Sequence, residues 1–168
     1  DVALNFTTRM KRLGKVASSR VIAFNERRAA GTIATALRVP EETPLWEIKR
    51  VRLGDGVPLE YHKVYVPQSI CPDLTREDLG SSLYAIIAES SGIMPDCADE
   101  IFECIKLDRY EAQVLQLAPD TSAFRVVRTT YSEYGLPFEV SISIYAAAHN
   151  KLRVHIGHSG TAFDVITD

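Results

Sequence analysis

Arg50 and Arg52 stand two residues apart in the run Trp46-Glu47-Ile48-Lys49-Arg50-Val51-Arg52-Leu53, which reads as a strand. Alternate strand residues share a face, so Trp46, Ile48, Arg50 and Arg52 point one way and Glu47, Lys49, Val51 and Leu53 the other. Two guanidiniums about 6.6 Å apart, the rise over two strand residues, repel each other. At an effective dielectric of about 20 the repulsion is roughly 2–3 kcal/mol, more than a surface ion pair returns, so a partly covered pair calls for an anion. Such a pair is suited to bidentate recognition of phosphate or carboxylate.

The surroundings of the pair occur twice. Arg50 falls on Arg128 and Trp46 on Phe124, 78 positions later, and after one inserted residue Gly-x-Pro-x-Glu recurs at Gly56 to Glu60 and Gly135 to Glu139. Repetition at this period points to two copies of one supersecondary unit around a shared core, with equivalent polar side chains facing one cleft. In the second copy Phe124 and Val126 lead into Arg128 and Thr130. Its returning strand sets Glu139, Ser141, Ser143 and Tyr145 on one face and Val140, Ile142 and Ile144 on the other. Glu60 and His62 hold the equivalent places in the first copy, beside Arg50 and Arg52.

Gly80-Ser81-Ser82 opens a helix whose backbone N–H groups and hydroxyls form an anion seat, with Tyr84 in the first turn. Plainer readings stand beside this one: Ser82 as an N-cap only, Tyr84 as core, Glu60 and Glu139 as cross-strand ion-pair partners, His62 as a solvent-exposed strand residue. No GxSxG elbow, P-loop or GxGxxG occurs, and an acid–base pair improvised from Glu139 and His62 has no motif behind it. No catalytic residue is assigned.

These side chains need a frame. Thr7 or Thr8 caps a short helix through Leu13, Ser19 to Arg28 is a strand, and Ile33, Ala36 and Leu37 mark a helix ended by Pro40. A hairpin of Leu45 to Leu53 and Leu59 to Val66 turns at Gly54-Asp55-Gly56, and Pro67 to Asp73 is a loop. Leu83, Ile86 and Ile87 mark a central helix capped by Ser81 or Ser82 and ended by Gly92. A strand at Cys97 to Leu107, a helix at Tyr110 to Leu117, a hairpin of Phe124 to Tyr134 and Phe138 to Ala146, and a strand at Lys151 to Ile156 follow. The class is α+β, a mostly antiparallel sheet flanked by helices and built from two strand-helix-hairpin units in one domain. The tail from Gly157 to Asp168 has two glycines and little periodicity, and is expected to be weakly ordered or partly exogenous.

Composition narrows the function. The 168 residues are 46% apolar and 24% charged, with a net charge of −3 and a pI of about 5.8. That balance lacks the basic excess of a domain gripping phosphate backbone, so any nucleic acid must be held by another segment. The apolar runs Tyr84 to Ala88 and Ile144 to Ala148 fall far short of the roughly 20 residues that span a bilayer, so no membrane partner is expected. The chain starts at Asp1 without a Met and without a secretory h-region, as a processed or cloned fragment would. Cys71, Cys97 and Cys104, odd in number and without CxxC spacing, suit reduced thiols in cytoplasm. His155 and His158 form the close histidine pair, but no cysteine or carboxylate cluster joins them; no metal and no cofactor is expected.

Phe6-Thr7-Thr8-Arg9-Met10 with Gly14, Ser18-Ser19-Arg20-Val21, Leu45 to Leu53, Pro58-Leu59, Tyr65-Val66-Pro67, Ser82-Leu83-Tyr84 and Gly135 to Glu139 together resemble the UTRA effector domain. That domain is the sensor half of HutC-type GntR transcription regulators, and the resemblance runs in order from Asn5 to Val154. It implies a chorismate-lyase-like fold, an allosteric small-molecule site, and a homodimer whose N-terminal winged helix-turn-helix domain, absent from this fragment, binds operator DNA. It also implies phosphate or carboxylate contacts at Arg50, Arg52, Ser82 and Tyr84, with Thr7 at the pocket entrance. Glu139 and Tyr145 match positions that hold the rest of a sugar-like ligand, and His62 occupies a pocket position that varies in the family.

The leading expectation is thus a sensor of an anionic metabolite, a phosphorylated sugar or small carboxylate, that binds without converting it. The alternatives are a lyase-like enzyme in which the arginines hold a carboxylate substrate and Glu139 takes part in chemistry, and a pure dimerisation module.

Overall fold

Asp55 and Gly56 both take positive φ, 50° and 79°, in the mirror-image turn that matches strand twist. They close the hairpin between β2 (Pro44–Gly54) and β3 (Val57–Pro67), as the Gly-Asp-Gly run led one to expect. The computed structural model describes residues 6–80, 82–157 and 160–167; Ser81 of the anticipated helix start and His158 of the histidine pair lie outside them.

A second hairpin joins β5 (Ser122–Ser132) to β6 (Pro137–Ala146), and β1 (Ala17–Arg28) and β4 (Pro95–Lys106) form the outer strands. The six make one antiparallel sheet in the order β1-β2-β3-β6-β5-β4. Read outward from the centre, the order is β3-β2-β1 on one side and β6-β5-β4 on the other, so each sequence copy builds half the sheet. Register agrees with the repeat: Arg50 pairs with His62 as Arg128 pairs with Ser141, and Arg52 with Glu60 as Thr130 with Glu139. A pseudo-two-fold axis passes through the central seam at the Lys63–Ile142 pair, flanked by the matching pairs His62–Ser143 and Val64–Ser141.

Helices cover both faces. Ala34 and Leu37 of α2 (Gly31–Leu37) pack on Leu45, Tyr65 and Val140, while Ala112 and Leu115 of α4 (Arg109–Leu115) pack on Tyr61, Ala123 and Ile144. A reciprocal capping box starts α4: Asp108 accepts from the Glu111 amide at 2.7 Å, and Glu111 accepts from the Asp108 amide at 3.2 Å. On the opposite face Leu83 and Ile87 of α3 (Leu83–Ser91) pack on Ile48, Val64, Val66 and Phe138. Gly92 ends α3 at φ 74°, a left-handed C-cap that favours glycine. Beside α3, α1 (Phe6–Arg12) docks Phe6 and Met10 on Leu59.

Two local readings change. The loop at 67–73 contains a 3-10 turn, Gln68–Ile70, and the Cys71 carbonyl beyond it accepts from Trp46 Nε1 at 2.9 Å. Residues 160–167 form β8 (Gly160–Thr167), antiparallel to β7 (Asn150–Gly157), where a weakly ordered tail was expected. The run Thr161-Ala162-Phe163-Asp164-Val165-Ile166-Thr167 is rich in β-branched residues that favour pleated backbone, a signal the flanking glycines concealed. Among the described residues no helix is long and apolar enough to cross a membrane.

Candidate functional site

The sheet face turned away from α2 and α4 carries the polar residues of both repeats, and α1 and the start of α3 lie over it. Between them is a cavity of about 130 Å³. It gathers all the residues singled out from sequence: Arg50 and Arg52 on β2, His62 on β3, Glu139 and Tyr145 on β6, Ser82 and Tyr84 at the head of α3, and Thr7 on α1.

Arg50 and Arg52 are 3% and 6% exposed, so the expected repulsion is confined in low dielectric. Arg50 donates from Nη1 to the Leu79 carbonyl at 3.2 Å. Arg52 donates from Nη1 to Ser19 Oγ at 2.8 Å and from Nη2 to Thr7 Oγ1 at 3.3 Å, with its guanidinium 4.8 Å from the centre of the Phe6 ring. All these partners are neutral. The Nε of each arginine is buried without a hydrogen-bond partner. Burial, helped by Arg52, pushes Arg50 down to about 10, and burial lowers Arg52 as well.

The two glutamates occupy equivalent positions and titrate in opposite directions. Glu60 accepts from Ser143 Oγ at 2.7 Å and lies 3.5 Å from Arg9 Nη2. Burial would raise it, but His62, Arg9, Ser143 and Arg52 outweigh burial and hold it below its ordinary range. Its ion-pair partner therefore comes from α1 and not from the strand beside it. Glu139 accepts from Tyr84 Oη at 3.1 Å and Thr130 Oγ1 at 3.4 Å, and here burial prevails and raises the carboxyl despite Arg128 and Arg50.

His62 is a wall residue, which corrects the solvent-exposed reading: it lies between Arg50 and Ser143 on adjacent strands, half-buried, with Nδ1 sealed and unpartnered. Burial, with Arg50, Arg52 and Arg128, pushes it down to about 3 against the pull of Glu60, so the ring is neutral near pH 7. Ser82 holds the N-cap position of α3 but makes no side-chain capping bond. Tyr145 is buried, with the Arg9 guanidinium 5.1 Å from its ring centre.

Several lining residues escaped the sequence reading, among them Arg9, Glu100, Phe102 and Arg128. Arg128 was in view as the repeat partner of Arg50, but its ion pair with Glu100, at 2.6 Å, depends on the β4–β5 register. Burial pushes Arg128 down, yet Glu100 carries it above its ordinary value. Among the described residues no group of three His, Cys, Asp or Glu side chains is placed to hold a metal.

Residues 12–150 match the family model of the UTRA domain. Over 141 residues the chain is 26% identical to the HTH-type transcriptional repressor NagR of Bacillus subtilis, covering 84% of this chain and 58% of that protein. It is also 26% identical over 129 residues to the HTH-type transcriptional regulator GmuR of Bacillus subtilis, covering 77% and 54%. The chain thus spans little more than half the length of these curated relatives. The crystal structure of PhnF from Mycobacterium smegmatis superposes with a TM-score of 0.80 at 27% identity, covering 86% of this chain and 64% of that one. With its doubled half-sheet, polar cavity and family match, the chain belongs to the UTRA-domain family.

Proposed function

We propose that this domain is the effector-sensing and dimerising part of a cytoplasmic regulator of the HutC type. Its effector is a small anion, a phosphorylated sugar or small carboxylate. One observation carries the reading: Arg50 and Arg52 are buried side by side, their hydrogen-bond partners are neutral, and both Nε atoms lack partners. Buried polar atoms without partners are rare in folded proteins, and a ligand oxygen at this place supplies both charge and hydrogen bonds. Ser82 and Tyr84 complete the anion end, Glu139 and Tyr145 hold the remainder of the ligand, Thr7 guards the entrance, and His62 contributes a neutral polar edge. A winged helix-turn-helix unit N-terminal to this domain reads the operator. The ligand acts by its differential affinity for two arrangements of the paired sensors.

The domain binds its ligand and returns it unchanged. The rival reading, a lyase-like enzyme, draws on the raised carboxyl of Glu139 beside an anion clamp. A thermal-shift screen of phosphorylated sugars and small organic acids tests both, because a saturating ligand raises the melting temperature. Hits recovered intact after incubation in excess support the sensor, and product formation supports the enzyme. A screen in which no anion shifts the melt leaves a dimerisation module.

A further inference from the structure

The two halves of the cavity differ at equivalent positions of the outer strands, beyond the first ring of polar residues. In the second half Glu100 on β4 lies directly across from Arg128 on β5, and its Oε1 takes both Nε, at 2.7 Å, and Nη2, at 2.6 Å. In the first half the residue across from Arg50 is Val21 on β1. Val21 is half-buried and packs with the cluster that includes Ile48 and Leu79. The Nε that Glu100 occupies in Arg128 is, in Arg50, buried and without a partner. Two residues further along β2 and β5 the asymmetry reverses: the Ser19 hydroxyl faces Arg52 and accepts from it at 2.8 Å, whereas Ala98 faces Thr130.

We propose that the outer-strand residue across from each repeat's arginine, Val21 in the first half and Glu100 in the second, determines which half of the cavity receives the anion. The inference rests on the anion-sensing reading above. Glu100 satisfies Arg128 from within the fold and fixes it as a neutral pair on the cavity rim. The Val21 side chain offers no acceptor, and its carbonyl is taken by Arg76 at 3.0 Å, so the Nε hydrogen of Arg50 is left for the guest. A carboxylate at position 21 would do for Arg50 what Glu100 does for Arg128, and would compete with any anion.

The test is titration of inorganic phosphate, by calorimetry, into the wild-type chain, Val21→Glu, Val21→Gln and Glu100→Gln. The wild type takes up phosphate, Val21→Glu weakens uptake roughly tenfold or more, and Val21→Gln, similar in size but uncharged, stays within about threefold. Glu100→Gln, with Arg128 released, binds phosphate more tightly or takes a second equivalent. The proposal is overturned if folded Val21→Glu keeps wild-type affinity, or if Val21→Gln loses as much as Val21→Glu. Should Val21→Glu fail to fold, unchanged affinity and stoichiometry in Glu100→Gln overturn it alone. A wild-type chain that binds no phosphate defeats the sensing reading itself, an outcome distinct from failure in the variants.

Discussion

Tyr84 on α3 and Glu139 on β6 share a 3.1 Å hydrogen bond that fastens the helix to the sheet across the cavity. The Thr130 hydroxyl joins them, 3.2 Å from Tyr84 and 3.4 Å from Glu139. A neutral phenol and a neutral hydroxyl thus serve the glutamate in the second half, while in the first half Glu60 takes the Ser143 hydroxyl at 2.7 Å and the charge of Arg9 on α1 at 3.5 Å. The same sheet position is held by neutral donors alone on one side and by a neutral donor with an ion pair on the other. The two repeats, alike in backbone, thus present different chemistry to the cavity.

Tyr84→Phe removes both hydroxyl contacts of this clasp, to Glu139 and to Thr130, and leaves the ring packed edge-on against Phe138. The expected cost is about 1 kcal/mol, read as a lower urea midpoint at unchanged slope. No loss would mean that the hydroxyl does not tie α3 to the sheet.

The raised carboxyl of Glu139 sets a pH dependence of known sign. Its folded pKa lies above the unfolded value of 4.5, so its contribution is fully present below that value and lost as pH rises through the folded pKa. Glu139→Gln, which cannot ionise, should gain stability relative to wild type across that window. Parallel stability curves for the two proteins would contradict the assignment.

His62 acts in the opposite sense. Its folded value of about 3 lies below the ordinary 6.5, so the unfolded chain takes up a proton that the folded chain refuses. Stability is therefore lost as pH falls from 6.5 toward 3, at a slope approaching about 1.4 kcal/mol per pH unit for one proton. Glu60, lowered in the fold, adds a loss in the acid range as pH drops from 4.5 through its folded value. His62→Gln should flatten the curve between pH 6.5 and 4.5, where Glu60 contributes little. A slope unchanged by the substitution would place the proton uptake elsewhere.

Asp108→Ala separates fold from site. Loss of the capping box should cost about 1 kcal/mol and leave ligand-induced shifts intact, since α4 covers the face opposite the cavity. A changed ligand shift would mean that the two faces are coupled through the sheet.

Much of this arrangement is legible in the chain itself. The doubled Gly-x-Pro-x-Glu gives the two hairpins, and strand alternation places Arg50, Arg52, Glu139 and Tyr145 on one face because those signals are local. What the chain does not reveal is which face a short helix covers. Arg9 lies on an expected helix, but only the docking of Phe6 and Met10 turns it toward Glu60. His62 reads as exposed for the same reason, since strand alternation says nothing about what lies over the strand. The Arg128–Glu100 pair depends on a strand register between segments more than 25 residues apart, fixed by tertiary packing.

A crystal structure of the chain with a phosphorylated sugar that raises its melting temperature decides whether the arginine pair is the anion seat. The predicted result has phosphate oxygens within about 3 Å of the Nε atoms of both Arg50 and Arg52, with the sugar directed toward Glu139 and Tyr145. Phosphate bound outside the cavity, with both Nε atoms still unpartnered, would contradict it.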